Sequence, residues 1–269
     1  MRISILIITL CRPELKFLLN SLKNQKRKPD EIIIIYNCDD TSNLVDSSDL
    51  PIYMYKQNRI GFTGAINQGI EKVEGDIIVF IDDDAIAPAS LLKKYEEIIN
   101  SLPNKFAGVC SRDILYVKGN GFVKGPDDSL IVKAYRKLIV SSFSKPYPGL
   151  ELFKSGVFID NKIRVKHGPC IPNRSCISLP FRGVNMAFKR DALEGIRLPE
   201  DINLGASKSY EQLLGIMLVS KGYLYAYIPN NPIFHLFHPS ISRTKNENEE
   251  ITMKKYLENA LKSLNVRNH

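Results

Sequence analysis

Three adjacent carboxylates, Asp82, Asp83 and Asp84, follow a short apolar run in the stretch VFIDDDA. Adjacent anions repel one another, so partial burial raises their pKa values unless a cation compensates the charge. Hard cations such as Mg²⁺ and Mn²⁺ take oxygen ligands, often one or two carboxylates together with substrate phosphates. If strand geometry continues through the triplet, Asp82 and Asp84 point to one side and Asp83 to the other. The triplet predicts a metal site that bridges to a diphosphate; the alternative is a solvated acidic turn or helix cap.

The apolar run before the triplet belongs to a pattern that repeats over the first hundred residues. Short apolar runs alternate there with helical patterns, which is typical of βα units around a parallel sheet. The predicted strands cover residues 3–9, 31–37, 52–55, 76–81 and 106–111. The run EIIIIYN lacks polar alternation, as expected for a strand covered on both faces. Ligands of open α/β sheets bind beyond the carboxyl ends of the strands, which is where the triplet lies.

The second half of the chain is less regular. Beyond Arg112, short strand-like pieces alternate with basic loops, and regularity returns at RGVNMAFKRDAL. A largely apolar helix, SYEQLLGIMLVSKGY, follows, which Ser209 could cap and Gly222 could end. The tail from Glu249 is predicted to form an amphipathic helix, which could pack back on the domain or contact a membrane.

Composition indicates a globular protein, because 44% of the 269 residues are hydrophobic and 25% are charged. No run approaches the roughly 18 to 20 apolar residues of a membrane span. The start MRISILIITLCRPE turns polar after about seven apolar residues, too few for a signal-peptide core. We therefore expect a cytoplasmic protein.

The net charge of +8 raises nucleic acid, anionic lipid and phosphorylated small molecules as partners. Residues 112–182 contain thirteen Lys and Arg against five Asp and Glu, so this segment carries the whole excess. It shows no recognisable nucleic-acid motif, and nucleic acid is not the expected partner.

The five cysteines are scattered and form no CxxC pair, so neither a zinc site nor a disulfide framework is predicted. Of the five, only Cys170 and Cys176 are near enough in sequence to suggest a pair.

Motifs of several other enzyme classes are missing from the sequence. There is no GxxxxGK[ST] loop and no GxGxxG after the first strand, so P-loop and dinucleotide sites lack their phosphate cradle. The GxSxG elbow of serine hydrolases is also missing, so that class of enzyme is not indicated. A nucleotide would have to be held in another way.

Seven stretches occur in the order and spacing of one known family. They are SILIITLCRPELKFLLNSLKNQ, DEIIIIYN, NRIGFTGAINQGI, GDIIVFIDDDA, RGVNMAF, YEQ…SKGY and FHLFH. Together they resemble glycosyltransferase family 2, the inverting enzymes of GT-A fold, from Ile3 to about His238. The resemblance implies an α/β, Rossmann-like, mostly parallel central sheet flanked by helices, with a C-terminal acceptor-side region.

The resemblance also implies roles for individual residues. Those expected around the nucleotide-sugar donor are Thr9, Arg12, Asn58, Gly61, Ala65, Asn67, Asp82, Asp83, Gly183 and Asn185. Within the triplet, Asp82 faces the ribose and Asp84 binds Mn²⁺ or Mg²⁺ on the diphosphate. The metal set expected overall is Asp84, Asp82 and His235, with His238 as the weaker match three residues on. Histidines at this spacing face opposite sides of a regular strand, and the alternative is a structural histidine beside aromatic residues.

Two positions depart from the family pattern. The family's acidic pair before the helix that ends in Gly-Tyr is here Tyr210 and Glu211, so Glu211 falls on the general base. The helix macrodipole would keep this first-turn carboxylate ionised; the alternative is a helix-start Glu without a catalytic part. The Asp that reads the nucleotide base is absent, and Asn37 or Asp39 could substitute for it.

The sequence therefore predicts a metal-dependent inverting glycosyltransferase that acts on a glycan or lipid-linked acceptor. We expect one domain over 1–269, with a nucleotide-sugar half (1–111), an acceptor-side half (112–248) and the tail helix (249–269). The basic segment favours a phosphate-bearing acceptor and peripheral contact with an anionic membrane. The alternatives are a sugar-phosphate nucleotidyltransferase, which would want a Gly-rich loop where TLCRPEL stands, and a non-catalytic basic binding module.

Overall fold

The computed structural model describes residues 1–41, 49–117, 119–205, 208–236 and 246–265. The strands in these ranges are β1 Ile3–Thr9, β2 Glu31–Tyr36, β3 Ile52–Lys56, β4 Ile77–Ile81, β5 Ala85–Ile86, β6 Phe106–Cys110, β7 Asp113–Val117, β8 Gly121–Val123, β9 Val157–Ile159, β10 Val165–His167, β11 Cys176–Ile177, β12 Asn185–Lys189, β13 Leu224–Tyr227 and β14 Ile233–Leu236. The α-helices are α1 Leu15–Lys23, α2 Gly61–Ile70, α3 Leu91–Ser101, α4 Leu130–Tyr135, α5 Ser141–Phe143, α6 Arg190–Leu193, α7 Tyr210–Ser220 and α8 Glu247–Asn265.

The central sheet has the strand order β11-β13-β6-β12-β4-β1-β2-β3 within the described residues. Strands β3, β2, β1 and β4 pair in parallel, as do β13 and β6. Strand β12 lies between β4 and β6 and runs antiparallel to both. The expected α/β fold with a mostly parallel central sheet is confirmed.

Apolar residues cover the central sheet on both faces. On one face α1 and α3 supply Leu15, Leu18, Leu92 and other buried residues. On the other face α2, α7 and α8 pack in a second cluster that reaches from Leu6 to Leu264. This two-sided cover explains why β2 and β4 read as uninterrupted apolar runs. The division into halves at 111 and 248 stays a prediction.

A smaller sheet of order β5-β14-β7-β8 begins where strands of the central sheet end. Strand β4 is followed after three residues by β5, β6 after two by β7, and β13 after five by β14. The chain therefore crosses from one sheet to the other three times near the same place. The aspartate triplet occupies the first of these crossings.

The tail helix packs back on the domain. Met253, Leu257, Leu261 and Leu264 of α8 are buried in the core, and α8 contacts α7. The amphipathic stripe expected from the sequence is therefore the contact with the domain. No helix in the described ranges is both long enough and apolar enough to span a bilayer.

The expectation that no disulfide forms is wrong, because Cys11 is bonded to Cys38 across 27 residues. Thr9 and Tyr36 are partners in the parallel pairing of β1 and β2, and each cysteine follows its strand by two residues. Parallel register thus brings together two residues that are distant in sequence. Cys170 and Cys176 are free thiols. Disulfides are rare in the reducing cytoplasm, so this bond gives no support to the expected cytoplasmic location, which stays a prediction.

Candidate active site

A cavity of about 570 Å³ opens at the carboxyl ends of β1 and β4, beside the crossing between the two sheets. Ten of the residues singled out in the sequence line it: Thr9, Arg12, Asn37, Gly61, Asp82, Asp83, Asp84, Gly183, Glu211 and His235. They come from segments as far apart in sequence as residues 9 and 235. The fold therefore gathers most of the predicted site into one cavity.

Three of these residues form a cluster that could hold a metal ion. One ligand atom each from Asp82, Asp84 and His235 lies within 4.8 Å of the others. The Nε2 atom of His235 is 3.3 Å from Oδ1 of Asp84. Two carboxylates and an imidazole are a donor set that suits Mn²⁺ or Mg²⁺, with the imidazole nitrogen favouring Mn²⁺. The residues present therefore fit the expected cation.

Strand pairing brings the histidine to the triplet. His235 on β14 is the antiparallel partner of Ala85 on β5, the residue directly after Asp84. The backbone N–H of Leu236 donates a 2.8 Å hydrogen bond to the backbone carbonyl of Asp84. The position of the imidazole beside Asp84 is thus fixed by the backbone of the small sheet.

The central aspartate of the triplet faces elsewhere. Oδ2 of Asp83 accepts a 2.6 Å hydrogen bond from the hydroxyl of Thr9, whose oxygen accepts a 2.8 Å bond from the backbone N–H of Cys11. Asp83 therefore holds the loop after β1, while its two neighbours join the metal cluster. The side chains are separated as expected, but strand geometry does not continue through the triplet: β4 ends at Ile81, and Asp82 to Asp84 form a turn in which the backbone N–H of Ala85 donates a 3.3 Å hydrogen bond to the carbonyl of Asp82.

The pKa values in the cluster show why a cation belongs there. Burial, and then the nearby Asp84 carboxylate, raise the pKa of Asp82 to about 8. Burial alone would lower the pKa of His235, but hydrogen bonds to Asp113 and Asp84 outweigh it and raise the pKa to about 10. The imidazolium of His235 and the guanidinium of Arg12, which is 3.8 Å from Asp84, therefore compensate the carboxylates. A divalent cation would take over the role of the imidazolium and release its proton.

Sequence reasoning missed two residues that support the cluster, Asp113 and Arg182. Oδ2 of Asp113 is 3.0 Å from Nδ1 of His235 and orients the ring toward Asp84. Both carboxylate oxygens of Asp113 accept bonds from the Arg182 guanidinium, at 2.6 and 2.8 Å. Burial would raise the pKa of Asp113, but these two partners hold it well below its usual range. Arg182 could have been found from its position directly before Gly183, a predicted site residue. No sequence pattern pointed to Asp113.

The carboxylate of Glu211 lies in the same cavity, in the first turn of α7. Burial raises the pKa of Glu211 to about 7, outweighing its hydrogen bonds and the attraction of Arg182. The sequence-based expectation that the macrodipole would favour the anion is therefore not the dominant effect. A carboxylate with a pKa near neutrality is suited to accept a proton.

The side chain of Tyr210, the first residue of α7, explains why position 183 is a glycine. Ser209 has a left-handed backbone (φ 69°) and no side-chain capping bond, so the expected capping role is not observed. Tyr210 is buried, packs edge-on against Phe62 at 5.3 Å, and passes beneath Gly183. A Cβ at Gly183 would lie 2.1 Å from the Tyr210 hydroxyl. The tyrosine that replaces the family's first acid thus shapes the cavity wall.

Five predicted site residues do not line the cavity, and one of them, Ala65, is buried in the core. Asn67 is buried and exchanges hydrogen bonds with the backbone of Leu198. Asn185 is buried beneath the site and donates to the backbone carbonyls of Arg112 and Asn231. These two amides tie segments of backbone together and support the cavity from below.

Two other predicted residues lie away from the cavity. The side chain of Asp39 is exposed, beside Lys56 at 3.7 Å, and the backbone N–H of Asn58 donates to Gln68. The predicted His238 lies outside the described residues.

Comparison with solved structures finds the same fold in nucleotide-sugar enzymes. The structure of GalNAc-T7 with UDP, GalNAc and Mn²⁺ matches with a TM-score of 0.63 at 12% identity, over 96% of this chain and 48% of that one. The mannosyltransferase PcManGT from Pyrobaculum calidifontis, with GDP-Man and Mn²⁺, matches with 0.56 at 16% identity, over 98% and 73%. TarS 1-349 from S. aureus with UDP-GlcNAc matches with 0.60 at 16% identity, over 95% and 65%. At these identities the likeness shows the fold.

This chain spans about half of the GalNAc-T7 chain and about two thirds of the TarS chain. No curated protein sequence matches it significantly. Residues 4–138, half of the chain, match the family described as Glycosyl transferase family 2. The match includes the first loop, the Asn58 to Asn67 segment and the aspartate triplet. Together with the GT-A fold, it shows that this chain belongs to glycosyl transferase family 2.

Proposed function

We propose that this chain transfers a sugar from a nucleoside-diphosphate donor to an acceptor hydroxyl, with inversion at the sugar carbon. The observation that carries the proposal is the single cavity that holds Asp82, Asp84 and His235 together with Glu211. The cluster of Asp82, Asp84 and His235 can bind the cation of a diphosphate, and the carboxylate of Glu211 can accept a proton. Direct displacement of the diphosphate by an acceptor hydroxyl uses both functions.

The donor diphosphate is assigned to the metal cluster. Asp82, Asp84 and His235 would hold Mn²⁺ or Mg²⁺, which when bound neutralises charge on the leaving diphosphate. Arg12, whose Nη1 atom is 3.8 Å from Asp84, and Arg182 add fixed positive charge to the same cavity. These guanidinium groups stabilise the negative charge that the diphosphate gains as it leaves the sugar.

The nucleoside is assigned to the part of the cavity near Thr9, Asn37 and Gly61. Gly61 has φ 74°, and a Cβ there would lie 3.0 Å from the carbonyl oxygen of Leu204. Of the two candidates for reading the base, Asn37 lines the cavity and Asp39 does not. We therefore assign base contact to Asn37. UDP- and GDP-sugars are the first donors to test, because structures of this fold bind them.

Glu211 is assigned as the general base. Its carboxylate would accept the acceptor hydroxyl proton as that oxygen attacks the sugar carbon and the bond to the diphosphate breaks. Attack from the side opposite the leaving group inverts the configuration. The acceptor is proposed to be a glycan or a lipid-linked sugar diphosphate, because the basic residues 112–182 continue from the wall of the cavity at Arg182.

A panel of nucleotide-sugars tests the proposal. We expect one class of UDP- or GDP-sugar to raise the thermal unfolding midpoint only when Mn²⁺ or Mg²⁺ is present, and to be hydrolysed slowly without acceptor. The metal chelator EDTA should cancel both effects. Donor binding without hydrolysis or transfer to any acceptor would favour a non-catalytic member of the family. Release of pyrophosphate from a sugar phosphate and a nucleoside triphosphate would favour the nucleotidyltransferase.

The assignment of the histidine ligand gives a separate prediction. We expect His235→Ala to raise the Mn²⁺ concentration for half-maximal activity by at least about 10- to 100-fold, because that is the range for losing a mere supporting partner and His235 is assigned as a ligand. His238→Ala is the matched control, since it removes the neighbouring histidine, and should change this concentration little. Mn²⁺ titrations of activity in both variants decide the ranking. A larger effect for His238 would show that the wrong histidine was assigned.

A further inference from the structure

The largest concentration of exposed apolar side chains lies far along the chain from the aspartate triplet. Of the fifteen large apolar residues that are exposed in the described ranges, six lie between residues 130 and 143. We name this group the apolar ridge: Leu130, Ile131, Tyr135, Leu138, Ile139 and Phe143, which are 44% to 82% exposed. Residues 130–143 are continuously helical, through α4, a π-helical turn and α5. Exposed apolar side chains concentrated on one segment favour an interaction site.

The opposite side of this helical segment anchors it to the domain. Arg136 and Val140 are buried, and the Arg136 guanidinium donates a 3.1 Å hydrogen bond to the backbone carbonyl of Ile171. Arg136 also forms an ion pair with Asp127. The segment is therefore held in place by its inner side. Its exposed leucines and phenylalanine are an outer surface that is already folded.

The charged side chains within the ridge segment all have one sign. Residues 129–145 include Lys133, Arg136, Lys137 and Lys145 and contain no Asp or Glu. The acids that precede the ridge, Asp127 and Asp128, are paired with arginines. Lys137 and Lys145 are exposed. An apolar surface with lysines beside it is complementary to a bilayer with anionic headgroups, into which apolar side chains insert while the ammonium groups stay at the phosphates.

We propose that the apolar ridge docks the protein on an anionic bilayer. The tail helix, which the sequence suggested as a membrane contact, has its apolar side buried against the domain. The ridge supplies instead both attractions that stable peripheral binding needs, apolar insertion and lysine contact with anionic lipid. The bilayer is chosen over a protein partner because the segment combines protruding Leu, Ile and Phe with exposed lysines, and its residues 129–145 contain no Asp or Glu.

The ridge is connected to the active site through two ion pairs. Arg136, on the inner side of the segment, pairs with Asp127, whose other carboxylate oxygen accepts a 2.5 Å bond from Arg182. Arg182 lines the active-site cavity. A ridge lying on a bilayer would thus hold the cavity close to the headgroups. This part of the inference rests on the proposed function and narrows its acceptor to one carried by a membrane lipid.

Vesicle co-sedimentation with the full chain tests the docking. The vesicles are phosphatidylcholine alone, or phosphatidylcholine with about one quarter phosphatidylglycerol, each at low and high salt. We expect sedimentation with the anionic vesicles at low salt, reduced at high salt. The triple variant Leu130→Ser/Ile131→Ser/Leu138→Ser should lose it by about tenfold or more, because it removes the inserting groups. The matched control, Phe17→Ser/Leu152→Ser/Ile251→Ser, removes three exposed apolar residues elsewhere and should sediment like the parent.

Each other outcome decides against the docking. Absence of sedimentation under all conditions, or equal sedimentation of both triple variants, would overturn it. A concentration-dependent dimer in light scattering that the ridge variant abolishes, without vesicle binding, would assign the ridge to a second copy of the chain. Donor binding in the presence of Mn²⁺ is measured on the same proteins. Donor binding should be the same in the ridge variant as in the parent. If neither the parent nor the two triple variants binds a donor, the proposed function is overturned, and the docking result stands.

Discussion

Asp84→Ala is expected to abolish Mn²⁺-dependent donor binding while the chain remains folded. Asp84 is buried and lies in the cluster with Asp82 and His235, so its loss removes a ligand and a negative charge together. Removing this carboxylate also removes one cause of the raised pKa of Asp82. Calorimetry with donor and Mn²⁺ should show an affinity loss above about 100-fold, beyond the range for losing a supporting partner.

The matched control is Asp83→Ala, which removes the same charge from the same triplet. Its carboxylate accepts a bond from Thr9 and is not part of the metal cluster. This variant should keep its dependence on Mn²⁺, even if the first loop shifts and donor affinity falls. Thermal unfolding without Mn²⁺ checks that both variants fold, and Asp84→Asn provides a variant that preserves side-chain shape. Unchanged donor affinity in folded Asp84→Ala would remove Asp84 from the metal site.

The parts of the site that the sequence predicted are those fixed by local periodicity. The run Ile77–Ile81 is buried on both faces, so its end at the sheet edge could be placed, although the triplet that follows forms a turn and not the expected continuation of the strand. Helix α1 carries a local pattern of the same kind, because its buried leucines recur at helical spacing. Local patterns report which face of an element is buried, and they suffice where one element positions one residue.

The parts that the sequence did not predict depend on pairing between distant segments. The Cys11–Cys38 bond follows from the register of β1 against β2, and the Asp113–His235 contact follows from the pairing of β14 with β7. Neither register can be read from spacing along the chain. Asn67 and Asn185 matched the family motif, but the structure shows their amides bonded to backbone groups. A motif position can thus support a cavity without lining it.

The exposed ridge and the buried tail show the same limit for surfaces. Both segments carry apolar residues beside charged ones, and such a pattern does not say what covers the apolar side. Packing against α7 buries the tail. The helical segment 130–143 instead turns Arg136 inward, because Asp127 and the Ile171 carbonyl are there to bind it. An inward arginine leaves the apolar side chains outside.

Glu211→Gln is expected to keep donor affinity and to lower the rate of transfer by about 10²- to 10⁴-fold, the range for losing a general base. Glutamine preserves the shape of the side chain in the first turn of α7 but cannot accept the acceptor proton. Single-turnover transfer measured with saturating donor separates this loss from a change in binding. Glu247→Gln is the matched control, because Glu247 is an exposed first-turn acid of another helix, α8, and should leave transfer unchanged.

The pH dependence distinguishes a base from a merely structural glutamate. Burial raises the pKa of Glu211 to about 7, and only the deprotonated carboxylate can take a proton. The rate of transfer in the parent protein should therefore fall as the pH drops below about 7 and level off above it. The residual rate of Glu211→Gln should lack this acid limb. A variant with near-normal turnover, or one that keeps the same pH profile, would return Glu211 to the role of a helix-start residue and move the search for the base to the other groups that line the cavity.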